Sequence, residues 1–250
     1  MMDGTFKNKL NRGDLQIGTV MTLPSPEICE ILCWSGFDWI FVDLEHSAMG
    51  VKDAQVILQA AAPRTPCAIR VPSIDENWIK KVLDIGPDGI IIPQVRTAED
   101  VERVVQFCKY PPEGLRSVGI GRAHGYGGRF QEYVRTANDQ TAIIIQIEHK
   151  DAVNNIEEIT KVPGFDCLFI GPYDLSASMG KVGLVTDPDI QSAIRQVKTS
   201  ADKAKIPLGI FGGTAQAVEP YIQRGYTLIT VGQDVTLLGS AAKIITDTLK

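Results

Sequence analysis

Three titratable residues end an apolar run in the first fifth of the chain. The stretch FDWIFVDLEH (37–46) is rich in aromatic and β-branched residues and then finishes in Asp43, Glu45 and His46. Histidine is a common general acid or base at neutral pH. This pattern makes His46 a candidate catalytic group. A loop histidine that only binds backbone groups has the same appearance in sequence.

Two further carboxylates stand at the ends of two successive apolar segments. Glu148 ends the segment 142–148, and Asp174 lies just past the segment 166–171. Neighbouring carboxylates repel each other unless they share a proton or a cation. An oxygen-rich pair that is completed by water and substrate suits Mg²⁺ or Mn²⁺. The residues alone leave a second interpretation open, in which Glu148 pairs with Arg70 and Asp174 caps the next helix.

Arg70 lies inside the apolar segment CAIRV (67–71), where an unpaired guanidinium would be costly. We therefore expect it to meet a carboxylate, and a substrate carboxylate is one candidate. The chain has two more histidines. His149 follows Glu148 directly, so its side chain should point the other way, and His124 is expected to be a loop residue.

Apolar segments and amphipathic segments alternate along the whole chain, which predicts strands and helices in strict order. Asp75, Thr97 and Thr214 are expected to be helix N-caps. The predicted strands are 16–22, 37–43, 67–71, 89–95, 142–148, 166–171, 207–212 and 227–232. The predicted helices are 25–35, 51–61, 75–84, 97–108, 150–160, 187–204, 214–224 and 233–249.

Eight strand–helix units in 250 residues predict an α/β fold, a single (β/α)₈ TIM barrel that occupies 1–250 as one domain. Active sites of such barrels lie at the carboxyl ends of the strands. The glycine-rich segment 109–141 is expected to be a long loop over one mouth of the barrel and to act as a mobile lid. The glycines of FGG (211–213) and VGQD (231–234) could hold a phosphate, but tight strand–helix turns are favoured.

The composition excludes several classes of function. A net charge of −5 with mixed signs argues against nucleic acid or a membrane as partner. The polar N-terminus and the lack of a long apolar stretch favour a soluble, cytoplasmic protein. The five cysteines show no disulfide framework and are expected to be buried thiols. Cys29 and Cys33 could begin a metal site, but no second pair stands nearby to complete it.

Several motifs together resemble the HpcH/HpaI aldolases, which are class II, metal-dependent 2-oxo acid aldolases of the phosphoenolpyruvate/pyruvate barrel superfamily. The resemblance extends over nearly the whole chain and is nearest to the branch that acts on 4-hydroxy-2-oxoheptane-1,7-dioate and 2-dehydro-3-deoxyglucarate. The motifs occur in the family's order: FDWIFVDLEH, IRVP, IIPQV, YPPEGLRSVG, QIE and GPYDLSASMG.

The resemblance implies roles for individual residues. Glu148 and Asp174 match the metal ligands, and the metal is expected to be Mg²⁺ or Mn²⁺, with Co²⁺ also possible. His46 matches the catalytic base, and Asp84 matches an acidic residue that pairs with that histidine. The remaining matches concern substrate binding: Arg70 for the pyruvate oxygens, Gln94 near the metal, and Gly171, Pro172 and Tyr173 in the wall that holds the pyruvate carboxylate.

The implied reaction is the reversible cleavage of a 4-hydroxy-2-oxo acid into pyruvate and an aldehyde. The resemblance also implies a homo-oligomer, a trimer or hexamer, with the C-terminal helix exchanged between subunits. No nucleotide and no Schiff-base lysine are expected. Alternatives are an acyl-CoA lyase of the citrate lyase β or malyl-CoA type and a barrel that binds an oxo acid without catalysis.

This sequence departs from the family pattern at two positions. Tyr173 stands in GPYDLS where many members have a small residue, and DLEHS (43–47) replaces the more common DGEHA. Neither change removes a catalytic group. Both changes leave the identity of the aldehyde open.

Overall fold

The computed structural model describes residues 4–250, and eight parallel strands in it close into a barrel. Each strand pairs with the next one along the chain, and the last pairs with the first. This arrangement confirms the prediction of a TIM barrel. The strands are β1 (Gln16–Met21), β2 (Trp39–Asp43), β3 (Cys67–Arg70), β4 (Gly89–Ile92), β5 (Ala142–Ile147), β6 (Cys167–Ile170), β7 (Leu208–Gly212) and β8 (Leu228–Gln233).

Helices follow the strands and surround the barrel. The predicted N-caps are confirmed, since Asp75, Thr97 and Thr214 each accept a hydrogen bond from the first helical turn. The helices are α1 (Phe6–Arg12), α2 (Pro26–Trp34), α3 (Val51–Ala61), α4 (Glu76–Asp84), α5 (Ala98–Cys108), α6 (Phe130–Gln140), α7 (Lys150–Asn154), α8 (Ile156–Ile159), α9 (Pro172–Ser178), α10 (Pro188–Ala204), α11 (Ala215–Ile222) and α12 (Asp234–Leu249).

Aromatic side chains fill the barrel interior beneath its carboxyl end. Trp39, Phe41 and Phe169 form a connected group with ring centroids 5.8–6.0 Å apart. Glycines on neighbouring strands make room for them: a Cβ on Gly18 would lie 2.5 Å from the Trp39 ring, and one on Gly209 would lie 2.6 Å from Phe169. The barrel interior is therefore a packed core, and its side chains close the barrel below the carboxyl-end site.

Helix α1 was not predicted, because the N-terminal residues are mostly polar. It covers the amino end of the barrel with two buried apolar side chains, Phe6 and Leu10. Phe6 packs against Trp39 at a centroid distance of 5.7 Å. Two apolar residues are too few to produce a helical hydrophobic pattern in sequence.

The prediction of a lid over the active-site mouth in 109–141 was wrong. The segment contains a 3₁₀ segment (Arg122–Gly127) and helix α6, and it lies at the amino end of the barrel. Arg122 donates to the carbonyls of Ile85 and Gly86, which precede β4. His124, expected in a loop, lies in this 3₁₀ segment. It is fully buried, and its Nε2 lies 3.1 Å from the Tyr110 hydroxyl.

The five cysteines are all buried and free. Within residues 4–250, no helix combines the length and apolarity that a membrane crossing requires.

Candidate active site

A buried arginine–aspartate pair joins the ends of β2 and β3. Arg70 donates from Nε and Nη2 to the two oxygens of Asp43 at 2.9 and 2.7 Å. The same carboxylate accepts the backbone N–H groups of Glu45 and His46 at 2.9 and 3.3 Å. Asp43 therefore fixes both the guanidinium and the turn that carries the histidine. This fork-to-fork geometry is the strong form of such a pair.

Glu45 supplies a second carboxylate to Arg70. Its Oε2 lies 3.1 Å from Arg70 Nη1 and 3.8 Å from Nε2 of His46. Burial raises the pKa of Glu45 to about 7, with repulsion from Asp43 and Asp174 adding to it and the charge of Arg70 opposing it. Burial alone would lower the pKa of Arg70, but Asp43, Glu45 and Glu148 together raise it. The arginine is therefore held in its charged form.

Glu148 follows β5 and is almost fully buried. Its Oε1 accepts the backbone N–H of Gln94 at 2.7 Å, and its Oε2 contacts the side-chain amide of Gln146. Gln94 adopts the left-handed region with φ of 59°, a conformation that is uncommon for a residue other than glycine. Burial raises the pKa of Glu148 to about 7, and the charges of Glu45 and Asp174 also raise it.

The loop after β6 approaches Glu148 closely. A Cβ on Gly171 would lie 2.9 Å from Gln146 Nε2 and 3.0 Å from Glu148 Oε2, so the position has no room for a side chain. Helix α9 then begins, with Asp174 in its first turn and partly exposed. The N-cap of this helix is Gly171. The interpretation of Asp174 as the cap of the helix is therefore wrong.

The other half of that interpretation also fails, since Arg70 forms its ion pairs with Asp43 and Glu45 and not with Glu148. The site thus holds four carboxylates, those of Asp43, Glu45, Glu148 and Asp174, around one guanidinium. Such an excess of negative charge at the end of a barrel calls for a cation.

A divalent ion fits this donor set. Glu148 and Asp174 are the carboxylates that no arginine neutralises directly, and both are oxygen donors of the kind that Mg²⁺ and Mn²⁺ prefer. No group of three or more metal-binding side chains is gathered in the part of the chain that the structure describes. Mg²⁺ is commonly held by one or two carboxylates with water and substrate completing its shell.

A cavity of about 370 Å³ opens above this cluster at the carboxyl end of the barrel. The structure brings six of the predicted site residues into its wall: His46, Arg70, Gly171, Pro172, Tyr173 and Asp174. The side chain of His46 is 61% exposed, so it is open to a ligand. Gln94 is exposed and lies outside the cavity wall, and its backbone N–H donates to Glu148.

Asp84 does not reach His46 within one chain. It ends helix α4, just before β4 begins, which places it at the opposite end of the barrel. Its Oδ1 pairs with Nη2 of Arg116 at 2.8 Å. Within the chain, the carboxylate nearest to His46 Nε2 is that of Glu45.

Sequence reasoning did not assign every residue of the cavity wall to the site; among those it missed are Gln146, Phe211 and Gln233. Gln146 could have been found, since it stands two positions before Glu148 and so faces the same side of the strand. Phe211 and Gln233 end β7 and β8, where only the glycines drew attention. Reading every second position at each strand end would have identified Phe211 as well.

A barrel with a charged cavity at the carboxyl ends of its strands is typical of an enzyme. Comparison with known proteins identifies the family. The profile of the HpcH/HpaI aldolase/citrate lyase family matches residues 16–241. The chain belongs to this family. The match confirms the resemblance seen in the sequence motifs.

Individual relatives agree. The chain is 37% identical to a 4-hydroxy-2-oxo-heptane-1,7-dioate aldolase of Shigella sonnei, over 98% of this chain and 94% of the relative. It is 38% identical to a hydroxypyruvate/pyruvate aldolase of Roseobacter denitrificans, over 96% and 95%. The crystal structure of a family protein from Burkholderia cenocepacia superposes with a TM-score of 0.93 at 34% identity, over 97% and 98%. The prediction of an aldehyde-lyase is thereby confirmed.

Proposed function

We propose that the protein is a divalent-metal-dependent aldolase that reversibly cleaves a 4-hydroxy-2-oxo acid into pyruvate and an aldehyde. The observation that carries the proposal is the excess of carboxylates over cationic groups around a cavity that also presents Arg70 and His46. The near-full-length similarity to aldolases supports it.

Glu148 and Asp174 would hold the ion, Mg²⁺, Mn²⁺ or Co²⁺. When bound, such an ion supplies Lewis-acid stabilisation to the oxo-acid oxygens. The protein prepares these ligands in two ways. Gln94 donates to Oε1 of Glu148 and fixes the carboxylate, and the bare backbone of Gly171 leaves space beside it.

Arg70 and the start of α9 are the groups that would bind pyruvate. The first N–H groups of a helix have no partner within that helix and are suited to a carboxylate. In this chain they follow Gly171 and Pro172, beside the cavity. The ion pair with Asp43 keeps Arg70 charged. This positive charge would lie next to the enolate that forms when the carbon–carbon bond is cleaved.

His46 would take the proton of the 4-hydroxyl group during cleavage, directly or through water, and return it in the reverse reaction. Its exposed ring and its place in the cavity wall support this role. Glu45, 3.8 Å from Nε2, is the carboxylate that can orient the ring within one chain. For Asp84 to pair with this histidine, as the resemblance implies, it would have to come from another subunit.

A Schiff-base mechanism would require a lysine in the cavity. None of the cavity-lining residues is a lysine in the described part of the chain, and Lys150 begins helix α7 outside the cavity.

We also propose that 1–250 acts as one barrel domain within a homo-oligomer, a trimer or hexamer, with α12 exchanged between subunits. The support is an apolar stripe on α12 that this chain leaves in solvent. The stripe consists of Leu237, Leu238, Ile244, Ile245 and Leu249. Exposed apolar patches of this kind mark contact surfaces. Light scattering would give the mass, and a monomer would contradict the proposal.

The test of the function is pyruvate release from 4-hydroxy-2-oxo acids by chelator-treated protein, before and after Mg²⁺ or Mn²⁺ is added. Activity should appear only with the ion and should be lost in Glu148→Gln. The matched control is Glu158→Gln, which changes a surface glutamate paired with Lys161. Cleavage that is equally fast without metal would refute the metal-dependent mechanism. No cleavage of any such acid would favour an acyl-CoA lyase or a binding protein instead.

A further inference from the structure

The cavity extends beyond the carboxylate cluster toward the ends of β7 and β8. This part, here called the outer pocket, is lined by Tyr173, Phe211, Gly213 and Gln233. The Tyr173 ring packs on Phe211 with centroids 5.9 Å apart, and its hydroxyl lies 3.6 Å from where a Cβ on Gly213 would stand. The tyrosine is therefore positioned by contacts, although its side chain remains 45% exposed.

The outer pocket offers hydrogen bonds from neutral groups. Tyr173 and Gln233 line it, and the tyrosine hydroxyl and the glutamine side-chain amide are neutral polar groups that can bond a ligand. The neighbouring hydroxyls are already engaged. Thr22 donates to Asp234 at 2.8 Å, and Thr236 donates to the Gln233 carbonyl at 2.9 Å.

The charges that face the cavity are mostly negative. In the described chain, Arg70 and the titratable His46 are its cationic or potentially cationic lining groups. Each nitrogen of the Arg70 guanidinium already lies within 3.1 Å of an oxygen of Asp43 or Glu45. An aldehyde that carries its own carboxylate would find no unpaired cation among the described residues of the outer pocket.

We infer that the outer pocket is the aldehyde subsite and that it selects short, uncharged, hydroxylated aldehydes over aldehydes that carry a carboxylate. Tyr173 and Gln233 are the specificity-determining residues, since they bond the hydroxyl groups of the aldehyde. The inference rests on the proposed function. In the synthetic direction, C3 of the pyruvate enolate bonds to the aldehyde carbon, and the aldehyde oxygen takes a proton to become the 4-hydroxyl.

The experiment uses the full-length, metal-loaded protein with pyruvate and one of three aldehydes. Glyceraldehyde is the hydroxylated probe, propanal has the same carbon chain without hydroxyls, and succinic semialdehyde carries a carboxylate. The wild type should show a kcat/KM at least about tenfold higher for glyceraldehyde than for either of the others. An equal or higher value for succinic semialdehyde would overturn the inference.

Variants separate the subsite from a general loss of activity. Tyr173→Phe keeps the ring and removes the hydroxyl, so the glyceraldehyde-to-propanal ratio should fall roughly three- to tenfold, the worth of one neutral hydrogen bond. Gln233→Arg adds a cation and should raise the ratio of succinic semialdehyde to glyceraldehyde. Tyr126→Phe, an exposed tyrosine at the other end of the barrel, is the matched control. Ratios that stay within twofold of wild type in both outer-pocket variants would refute the inference.

Exchange of the pyruvate C3 hydrogens with D₂O distinguishes this result from a failure of the proposed function. The exchange needs no aldehyde and reports enolate formation alone. Metal-dependent exchange without the expected aldehyde preference would refute the subsite and leave the aldolase proposal intact. The absence of exchange would refute the aldolase proposal, and the subsite with it.

Discussion

The two ends of the barrel each contain a buried arginine bonded to an aspartate, but the two pairs lie in opposite surroundings. At the carboxyl end, Arg70 meets Asp43 and Glu45, and two more carboxylates stand close by. At the amino end, Arg116 meets Asp84 and lies over the Tyr110 ring, 4.4 Å from its centroid. Within one chain, the two pairs differ in the charge that surrounds them.

The amino-end pair is balanced in charge. Arg116 has a single carboxylate, and its remaining contacts are to Tyr110 and to the ring and hydroxyl of Tyr133. The carboxyl-end cluster keeps an excess of negative charge. Burial raises the pKa of Glu45 and Glu148 to about 7, and the neighbouring carboxylates add to the shift. An arginine–aspartate pair alone therefore does not indicate a site. The unbalanced charge beside a cavity does.

The largest expected effect comes from breaking the carboxyl-end pair. Arg70→Met should lower kcat by about 10²–10³-fold, because the positive charge beside the enolate is lost. The same variant leaves the carboxylates without their cation and should increase the affinity for a divalent ion. Steady-state kinetics and metal titration measure the two effects. A variant that keeps near-normal kcat would contradict the assigned role of Arg70.

Breaking the amino-end pair should affect stability. Arg116→Met should lower the free energy of unfolding by about 2–3 kcal/mol, since Asp84 loses its partner and two tyrosine rings lose their cation. Urea denaturation of both variants gives the comparison. The metal affinity of the folded protein should not change in Arg116→Met. A change in metal affinity as large as that in Arg70→Met would show that the two ends of the barrel do not differ in metal binding.

Adding a divalent ion should stabilise the protein through the carboxyl end alone. At a free concentration of 100 times Kd, binding contributes about 2.7 kcal/mol, seen as a higher Tm than in chelator. Arg116→Met should keep this response, and Glu148→Gln should lose it. An equal rise in Glu148→Gln would place the ion elsewhere.

The smallest expected effect on metal binding comes from adding a side chain at Gly171. Gly171→Ala places a methyl group about 3 Å from both Glu148 and Gln146 and should displace the carboxylate. We expect a loss of metal affinity of about tenfold, measured by calorimetry. The control is Gly180→Ala, beyond the other end of helix α9, where no atom lies within 4 Å of the added Cβ. Because Gly180 has φ of 75°, its effect should be on stability only.

The barrel could be predicted because its strands are buried on both faces and therefore read as short apolar runs. Elements that bury little apolar surface escaped detection. Helix α1 buries only two apolar side chains, so it carries little helical pattern. Helix α6 does have apolar residues at helical spacing, Phe130, Tyr133, Val134 and Ala137, but the glycines before it drew attention instead. That oversight led to the wrong prediction of a lid in 109–141.

The candidate site was predictable wherever a residue's role follows from a strand end. His46, Arg70, Glu148 and Asp174 were found in this way. The structure places His46, Arg70 and Asp174 in the wall of one cavity, and Glu148 is buried next to Gly171 of the same wall. Asp84 came from the resemblance alone. Its place at the end of a helix that returns to the amino end of the barrel keeps it from His46 within one chain. The special φ of Gln94 depends on tertiary contacts that no local pattern reveals.

The central claim is that Glu148 and Asp174 hold a catalytic divalent ion, and direct binding of Mn²⁺ tests it. Electron paramagnetic resonance of free Mn²⁺ would be followed during titration of wild type, Glu148→Gln and Asp174→Asn. The account predicts about one tight ion per chain in the wild type and none at the same concentration in either variant. Wild-type protein that binds no Mn²⁺, or variants that bind it as tightly, would contradict the account.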